Sequence, residues 1–483
     1  MVSRKKKKER EKRNKTIGIA LLILGIIAIG YPFLNNHGTM PTIIGRPKYE
    51  LQYWESKEQL QQDIYFMNKQ IYDGECFRHW GARSWTWEHT ECVNAQIEMA
   101  DNLLEEGKVE DARRYLDDAQ DNLEWLYEQA EDCTDQSNVW NEYPHVIGDG
   151  FKEWRCLYDG ASDWLESGKK FQSFAHYVDV IMEHENKVAQ KHIDSMEKFK
   201  EFVLVDHLGE IMPTWLEYSV NGQKRGCFGY MIDDKVRCQN HNRVAQDYDI
   251  LLYAYDWTGN TEYLNMYKQW SRYFKATLEV KQDTEHLDSY YSWHYHDDDP
   301  DTKDDYDDCI ERGQNAWTCS GAGEMWGYTN FDLQPVIHGY EKGIFWGRTE
   351  MKMFANTLTK ASGTKEDIYD SSGNLLDEDQ YVVGWQTGIP RANSWSNEFS
   401  GSAETFAWIE MAHVSKEVFD MEEQIQHNEY TYQRDAGTFW DKSYFDCVTN
   451  SQVDPDNPIC KHNDAINPAW RFYAMVNIYK FAK

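Results

Sequence analysis

Residues 241–277 read HNRVAQDYDILLYAYDWTGNTEYLNMYKQWSRYFKAT. Val244, Tyr248, Leu251 and Tyr255 recur at three- and four-residue intervals, the spacing that puts apolar side chains on one face of a helix. Gly259-Asn260 breaks the pattern, and Tyr263, Leu264, Tyr267, Trp270 and Phe274 resume it. The stretch therefore predicts two antiparallel helices joined by a tight turn.

The same sentence recurs along the chain. Residues 88–131 predict two helices split at Glu106-Gly107-Lys108, the second carrying Ala112, Tyr115, Leu116, Ala119, Leu123 and Leu126 on one face. A further pair spans about 331–361 with Gly343 as its break; a long helical stretch covers 171–205, and others lie near 400–418, 422–435 and 467–481. Residues 208–235 differ, with β-branched and aromatic residues around Asn221-Gly222 predicting a hairpin. No fixed repeat period appears, and no alternation of strands and helices supports a parallel sheet. About a dozen helices in antiparallel pairs predict a mainly α fold, an α/α toroid with a small β-hairpin insertion; a stacked helical solenoid is the alternative.

The chain has 483 residues, 41% apolar, 15% aromatic and 27% charged, with 11 Pro. That composition excludes disorder, collagen-like sequence and a polytopic membrane protein. A formal net charge of −32 argues against a nucleic-acid partner, because neutralising phosphates needs an excess of Lys and Arg. The charge is unevenly placed. Residues 1–15 hold nine Lys or Arg against two Glu, a surplus of seven that leaves −39 on the other 468 residues. Ile17 to Leu34 then carries no charge for eighteen residues, enough to nearly span a hydrocarbon core of about 30 Å as a helix. A basic segment before it and an acidic chain after it predict a cytoplasmic N-terminus and an extracytoplasmic body. The expected organisation is a basic cytoplasmic segment at 1–15, a transmembrane anchor at 16–34, a linker at 35–50 and the toroid at 51–483; a cleaved signal peptide is the rival for the apolar run.

Ten cysteines suit an oxidising compartment, and no CxxC supports a zinc or thioredoxin-type site. Taken in order they form five local pairs, Cys76 with Cys92, Cys133 with Cys156, Cys227 with Cys238, Cys309 with Cys319, and Cys447 with Cys460. Neighbour pairing is the simplest connectivity, and buried free thiols are the alternative.

Aromatic residues gather in stretches expected to be loops: Trp80, Trp85 and Trp87; Tyr290, Tyr291, Trp293 and Tyr295; Trp317 and Trp326; Trp385 and Trp395. Sugar rings present C–H faces that stack on such planes, so these clusters predict a cleft for a polysaccharide or glycan, although core packing accounts for any single one.

The segment from Gly321 to Thr359 contains Glu324, Tyr328, Asn330 and Asp332 ahead of an aromatic, Gly-containing turn and a closing Ala-Asn-Thr. It resembles the Glu-x-x-x-His-x-Asn-x-Asp segment of toroidal polysaccharide-lyase-like proteins of the alginate-lyase type, with Tyr328 where that family has His. His241-Asn242-Arg243 and the helix pair after it resemble the pair such proteins carry upstream, so the likeness covers roughly residues 240–410. It implies β-elimination of a uronate-containing polysaccharide. That chemistry needs a neutralised carboxylate, removal of the C5 proton and protonation of the departing oxygen. Tyr328 or Tyr295 is the expected acid and base, and Asn242, His241 and Arg243 the expected carboxylate grip, with His294 and Glu324 as further catalytic candidates. Trp85, Trp293, Trp326, Asn330, Asp332 and Trp395 are the expected substrate contacts. Asn330 or Asp332 capping a helix, and His241 bonding a backbone carbonyl, are the structural alternatives.

The chain's acidity favours a neutral glycan over a polyanion at long range, which keeps a glycoside hydrolase in view, with Glu324 and Asp332 or Glu88 and Asp247 as carboxylate pairs. A non-catalytic glycan-binding module is the third reading. The run Asp297 to Asp308 holds eight Asp in twelve residues. Asp297, Asp299 and Asp301 fit the opening of a calcium loop, and a solvated acidic loop fits equally. The expected chemistry requires no cofactor.

Overall fold

The computed structural model describes residues 46–71, 74–76, 87–132, 152–154, 164–209, 229–232, 235–238, 241–283, 287–293, 326–369, 375–383, 405–436 and 468–483. The anchor segment 16–34 lies outside them, and no helix among the described residues is long and apolar enough to cross a membrane. The described residues belong to one compact unit, Arg46–Lys483. It begins inside the stretch expected as linker, because the Tyr49 N–H donates to the Phe481 carbonyl at 2.8 Å and the Lys483 N–H to the Tyr49 carbonyl at 2.9 Å.

The fold is mainly helical. The helices are α1 (Lys57–Ile71), α2 (Trp87–Glu105), α3 (Val109–Glu128), α4 (Trp164–Glu183), α5 (Gln190–Phe202, continued by a π turn Val203–His207), α6 (His241–Thr258), α7 (Thr261–Thr277), α8 (Trp326–Glu341), α9 (Arg348–Asn356, continued by a π turn Thr357–Ser362), α10 (Lys416–Ala436) and α11 (Pro468–Phe481). A 3-10 segment, Trp408–His413, precedes α10. The pair read from residues 241–277 is α6 and α7. Asn260 caps α7 by accepting the Glu262 N–H at 3.0 Å, and Gly259 takes φ +68°, a left-handed turn that side chains resist. The continuous helix expected over 171–205 is instead two helices, because the chain turns at 184–189. There the Lys187 ammonium bonds the Leu104 carbonyl at 2.9 Å.

Among the described residues, four antiparallel two-stranded ladders decorate the helices. They are β1 (Glu131–Asp132) with β2 (Lys152–Glu153), β3 (Gly229–Ile232) with β4 (Lys235–Cys238), β5 (Glu279–Gln282) with β6 (Ser289–Ser292), and β7 (Gly363–Tyr369) with β8 (Leu375–Val383). Asn221-Gly222, the turn expected for a hairpin, lies outside the described residues; β3 and β4 are a different pair, separated by residues 233 and 234. Tyr290 and Tyr291, expected in a loop, form β6.

Helix packing follows a simple order. α2 packs on α4, α4 on α6, α6 on α8, α8 on the 3-10 segment, that segment on α11, and α11 back on α2. Each of these is followed or preceded by a partner outside it: α3 on α2, α5 on α4, α7 on α6, α10 on the 3-10 segment and α1 on α11. The two sets differ in burial. α3 buries one stripe and exposes the other, whereas residues 90–104, 244–252, 329–339 and 469–482 are buried on every side. A helix buried all round cannot keep polar groups in water, so its polar residues must bond one another.

One close approach fixes the α7–α8 crossing. A Cβ at Gly339 would lie 1.9 Å from the Tyr267 hydroxyl, which donates to the Pro335 carbonyl at 2.7 Å. Pro335 has no N–H for the carbonyl one turn back, that of Phe331. The Gln246 amide from α6 approaches that carbonyl at 3.4 Å.

Candidate functional site

The buried polar residues of the inner helices fall into two tiers. Glu91 and Glu98 on α2, Lys169 and His176 on α4, and Gln334 and Glu341 on α8 are each seven residues apart. Seven residues are two turns, so each pair shares a helix face about 10 Å apart along the axis. The upper members touch one another; of the lower ones Glu98 meets His176, and Lys480 links Glu98 to Glu341. Matching heights mean that these helices run parallel, with their amino ends together.

In the upper tier, the Lys169 ammonium lies 2.5 Å from Glu91 Oε1, donates to Gln334 Oε1 at 2.8 Å, and sits 4.0 Å from the Phe331 ring centroid. Burial pushes its pKa down, against the pull of the Glu91 carboxylate. Gln172 donates to Asp249 Oδ2 at 2.6 Å, and Asp249 Oδ1 holds His338 Nδ1 at 2.7 Å. His207 in the π turn lies 2.9 Å from Asp247.

The lower tier is an ionic lattice. The Lys480 ammonium lies 3.1 Å from Glu98, 3.1 Å from Glu410 and 3.7 Å from Glu341. His176 adds a contact to Glu98 at 3.4 Å, and His413 one to Glu341 at 3.0 Å. Burial alone would raise Glu98 and Glu341, but Lys480 and the two histidines hold both carboxyls well below the usual range. Burial wins at Glu410, which also faces Glu341 and Glu98, and its carboxyl is raised. Glu341, Glu410 and His413 offer ligand atoms within 4.8 Å of one another, and Lys480 supplies the positive charge there.

The residues expected at the site separate by place. His241, Asn242 and Arg243 form the first turn of α6, and Trp326 and Tyr328 lie in the first turn of α8. α6 and α8 pack together, so the two turns share the amino end of the bundle. The His241 ring faces the outer helix α7, 4.6 Å from the Phe274 ring and 3.3 Å from the Thr277 hydroxyl. It packs against that helix. Asn242 is buried, and its Oδ1 has no hydrogen-bond partner among the described residues. Trp293, expected to stack on sugar, is fully buried and donates to Asp332 Oδ2 at 2.9 Å. Asn330 Oδ1 accepts the Ala407 N–H at 2.7 Å, tying α8 to the 3-10 region. Neither Asn330 nor Asp332 caps α8, which starts at Trp326.

Trp85, His294, Tyr295, Glu324, Trp395 and the acidic run with Asp297, Asp299 and Asp301 lie outside the described residues. One expected disulfide, Cys76–Cys92, is formed; the side chains of Cys133, Cys156, Cys227, Cys238, Cys309, Cys319, Cys447 and Cys460 lie outside the described set.

Sequence reasoning missed both tiers. The available signal was the seven-residue recurrence of charged or amide residues inside otherwise apolar helices. The chain matches no family model, no curated protein and no solved structure.

Proposed function

We propose that this chain is a membrane-anchored, extracytoplasmic carbohydrate-active enzyme, an α/α toroid that cleaves uronate-containing polysaccharide by β-elimination. The observation that carries this reading is the convergence of the inner helices' amino ends. The turns leaving their carboxyl ends are short, at 106–108, 184–189, 259–260, 342–347 and 414–415. The long segments 133–151, 210–228, 294–325, 384–404 and 437–467 each precede an inner element in sequence, and they contain His294, Tyr295, Glu324 and Trp395.

Parallel helices with amino ends together concentrate positive potential, each end equivalent to about half a charge. That local field offsets the repulsion a polyuronate meets from an acidic body. In this reading Asn242 and Arg243 neutralise the uronate carboxylate, and the lysine, glutamate and amide tier beneath them holds the first turns rigid. The Tyr328 phenolate removes the C5 proton, the C4–O4 bond breaks as the C4–C5 double bond forms, and a proton is delivered to the departing O4. Tyr295 is the second candidate for the acid. No cofactor enters these steps, and calcium at the Asp297–Asp308 run would act structurally.

A panel of polysaccharides incubated with the full chain in detergent tests the reading. Unsaturated, ultraviolet-absorbing ends are the expected product. New reducing ends without that absorbance would make the protein a hydrolase, and binding without products a glycan-binding module.

A further inference from the structure

Three side chains of the upper tier, each from a different helix, are placed to react with one another. Lys169 and Glu91 are fully buried, and Gln334 is nearly so. Lys169 Nζ donates to Gln334 Oε1 at 2.8 Å, which puts it within about 4 Å of Gln334 Cδ, since a C=O bond adds only about 1.23 Å. Glu91 Oε1 touches both nitrogens: it lies 2.5 Å from Lys169 Nζ and accepts from Gln334 Nε2 at 3.5 Å. Gln334 Oε1 also draws the Gln172 amide at 3.4 Å and the Gln246 amide at 3.5 Å.

An ion pair alone accounts for only part of this arrangement. A lysine and a glutamate taken out of water recover their desolvation only with excellent geometry, and the pair by itself needs no amide. Nucleophilic attack needs all the parts present. Burial, which pushes the Lys169 pKa down, favours the neutral amine, whose lone pair is a nucleophile. The amide carbon of Gln334 is the electrophile beside it. A carboxylate in reach of both nitrogens can carry a proton from the entering one to the departing one. The two amide donors at Gln334 Oε1 sit where negative charge develops in a tetrahedral intermediate. The Phe331 ring, 4.0 Å from the ammonium, helps keep water away.

We propose that Lys169 and Gln334 condense into an intramolecular isopeptide bond, with Glu91 as the proton relay. The Lys169 ammonium first passes a proton to Glu91. The neutral amine adds to Gln334 Cδ, forming the C–N bond as the carbonyl π pair moves to Oε1. Glu91 returns its proton to Nε2; the oxyanion then collapses, the Cδ–Nε2 bond breaks and ammonia leaves. The surplus proton on the new amide nitrogen passes through Glu91 to the ammonia, so an ammonium ion departs and Glu91 ends as a carboxylate. No oxidant or cofactor is consumed. The bond joins residues 165 positions apart and ties α4 to α8. Both helices pack on α6, so it fixes the two neighbours of the helix that carries Asn242. It stands independently of the polysaccharide reading.

Tryptic peptide mapping of the reduced and alkylated full chain, purified in detergent, is the test. One branched peptide should join the Lys169 and Gln334 sequences, with the mass of the two less one ammonia, and fragmentation should place the bond at those side chains. Lys169→Arg should abolish it. Glu91→Gln, which keeps the size of the side chain but not the proton relay, should lower the linked fraction at least about tenfold. Wild-type peptides recovered separately at their unmodified masses would overturn the bond, whether or not either variant folds. A branched peptide lighter by one water and joining Lys169 to Glu91 would overturn it too, as would undiminished linkage in Glu91→Gln.

Discussion

Lys480 and Glu98 meet at 3.1 Å across the seam where the last helix of the chain packs on the second. They are 382 positions apart in sequence, and the same ammonium reaches Glu410 and Glu341. The lower tier therefore joins α2, α8, the 3-10 segment and α11 through one positive charge.

Replacing that lysine should be costly. Lys480→Met leaves the buried Glu98 and Glu410 and the partly exposed Glu341 without their shared cation, and removal of one partner from a buried ionic group typically costs about 3–5 kcal/mol. Urea unfolding should show a loss of that order. Glu410→Gln in the same chain should recover part of it, because the pair shares one interaction. A loss below about 1 kcal/mol would mean water enters the tier and screens it.

Glu422 supplies a pH prediction of opposite sense to an ordinary carboxylate. It is fully buried on α10 with Gln426 and Thr405 as polar neighbours, and burial pushes its carboxyl up to about 8. The folded protein thus holds a proton there that the unfolded chain has released. Its contribution is fully present below the ordinary value of 4.5 and is lost as pH rises through about 8. Between those values stability should fall by up to about 1.4 kcal/mol per pH unit from this group. Glu422→Gln, a neutral isostere, should flatten that slope and be the more stable protein at pH 8. A steeper slope in the variant would contradict the assignment.

The Cys76–Cys92 bridge closes a loop of 16 residues immediately before and into α2. A loop of that length corresponds to about 3 kcal/mol of unfolded-chain entropy. Replacing both cysteines with alanine should lower the urea midpoint accordingly. Peptide mapping of the intact protein should find the other eight cysteines in neighbour pairs, and one long-range bridge would refute that connectivity.

Tyr328→Phe addresses the chemistry. If the phenol is the acid and base, the variant should lose elimination by at least about a hundredfold while retaining polysaccharide binding. Unchanged turnover would remove Tyr328 from the mechanism. Asn242→Ala should raise KM, since it would bind the carboxylate in the ground state, and lower kcat as well, since the negative charge it stabilises grows as the C5 proton leaves.

Much of the helical layout was legible. Gly259-Asn260, Glu106-Gly107-Lys108 and Gly343 each mark a helix break, because local backbone preferences act within a few residues. The turn at 184–189 was not, since it contains no Gly or Pro and its stabilising Lys187–Leu104 bond comes from another helix. The same reason hid the side-chain roles. His241 looked like a ligand by residue type, yet its direction is set by α7; Trp293 looked like a stacking platform, yet Asp332 draws its indole into the core.

What the sequence alone determined is the set of helical pairs, their break points and one local disulfide, all governed by periodicity and short-range backbone chemistry. Which polar residues would meet was decided only by tertiary packing. Glu91, Lys169 and Gln334 come from three helices spread over 243 positions, and only when those helices lie side by side does burial force each buried charge and amide to find the others.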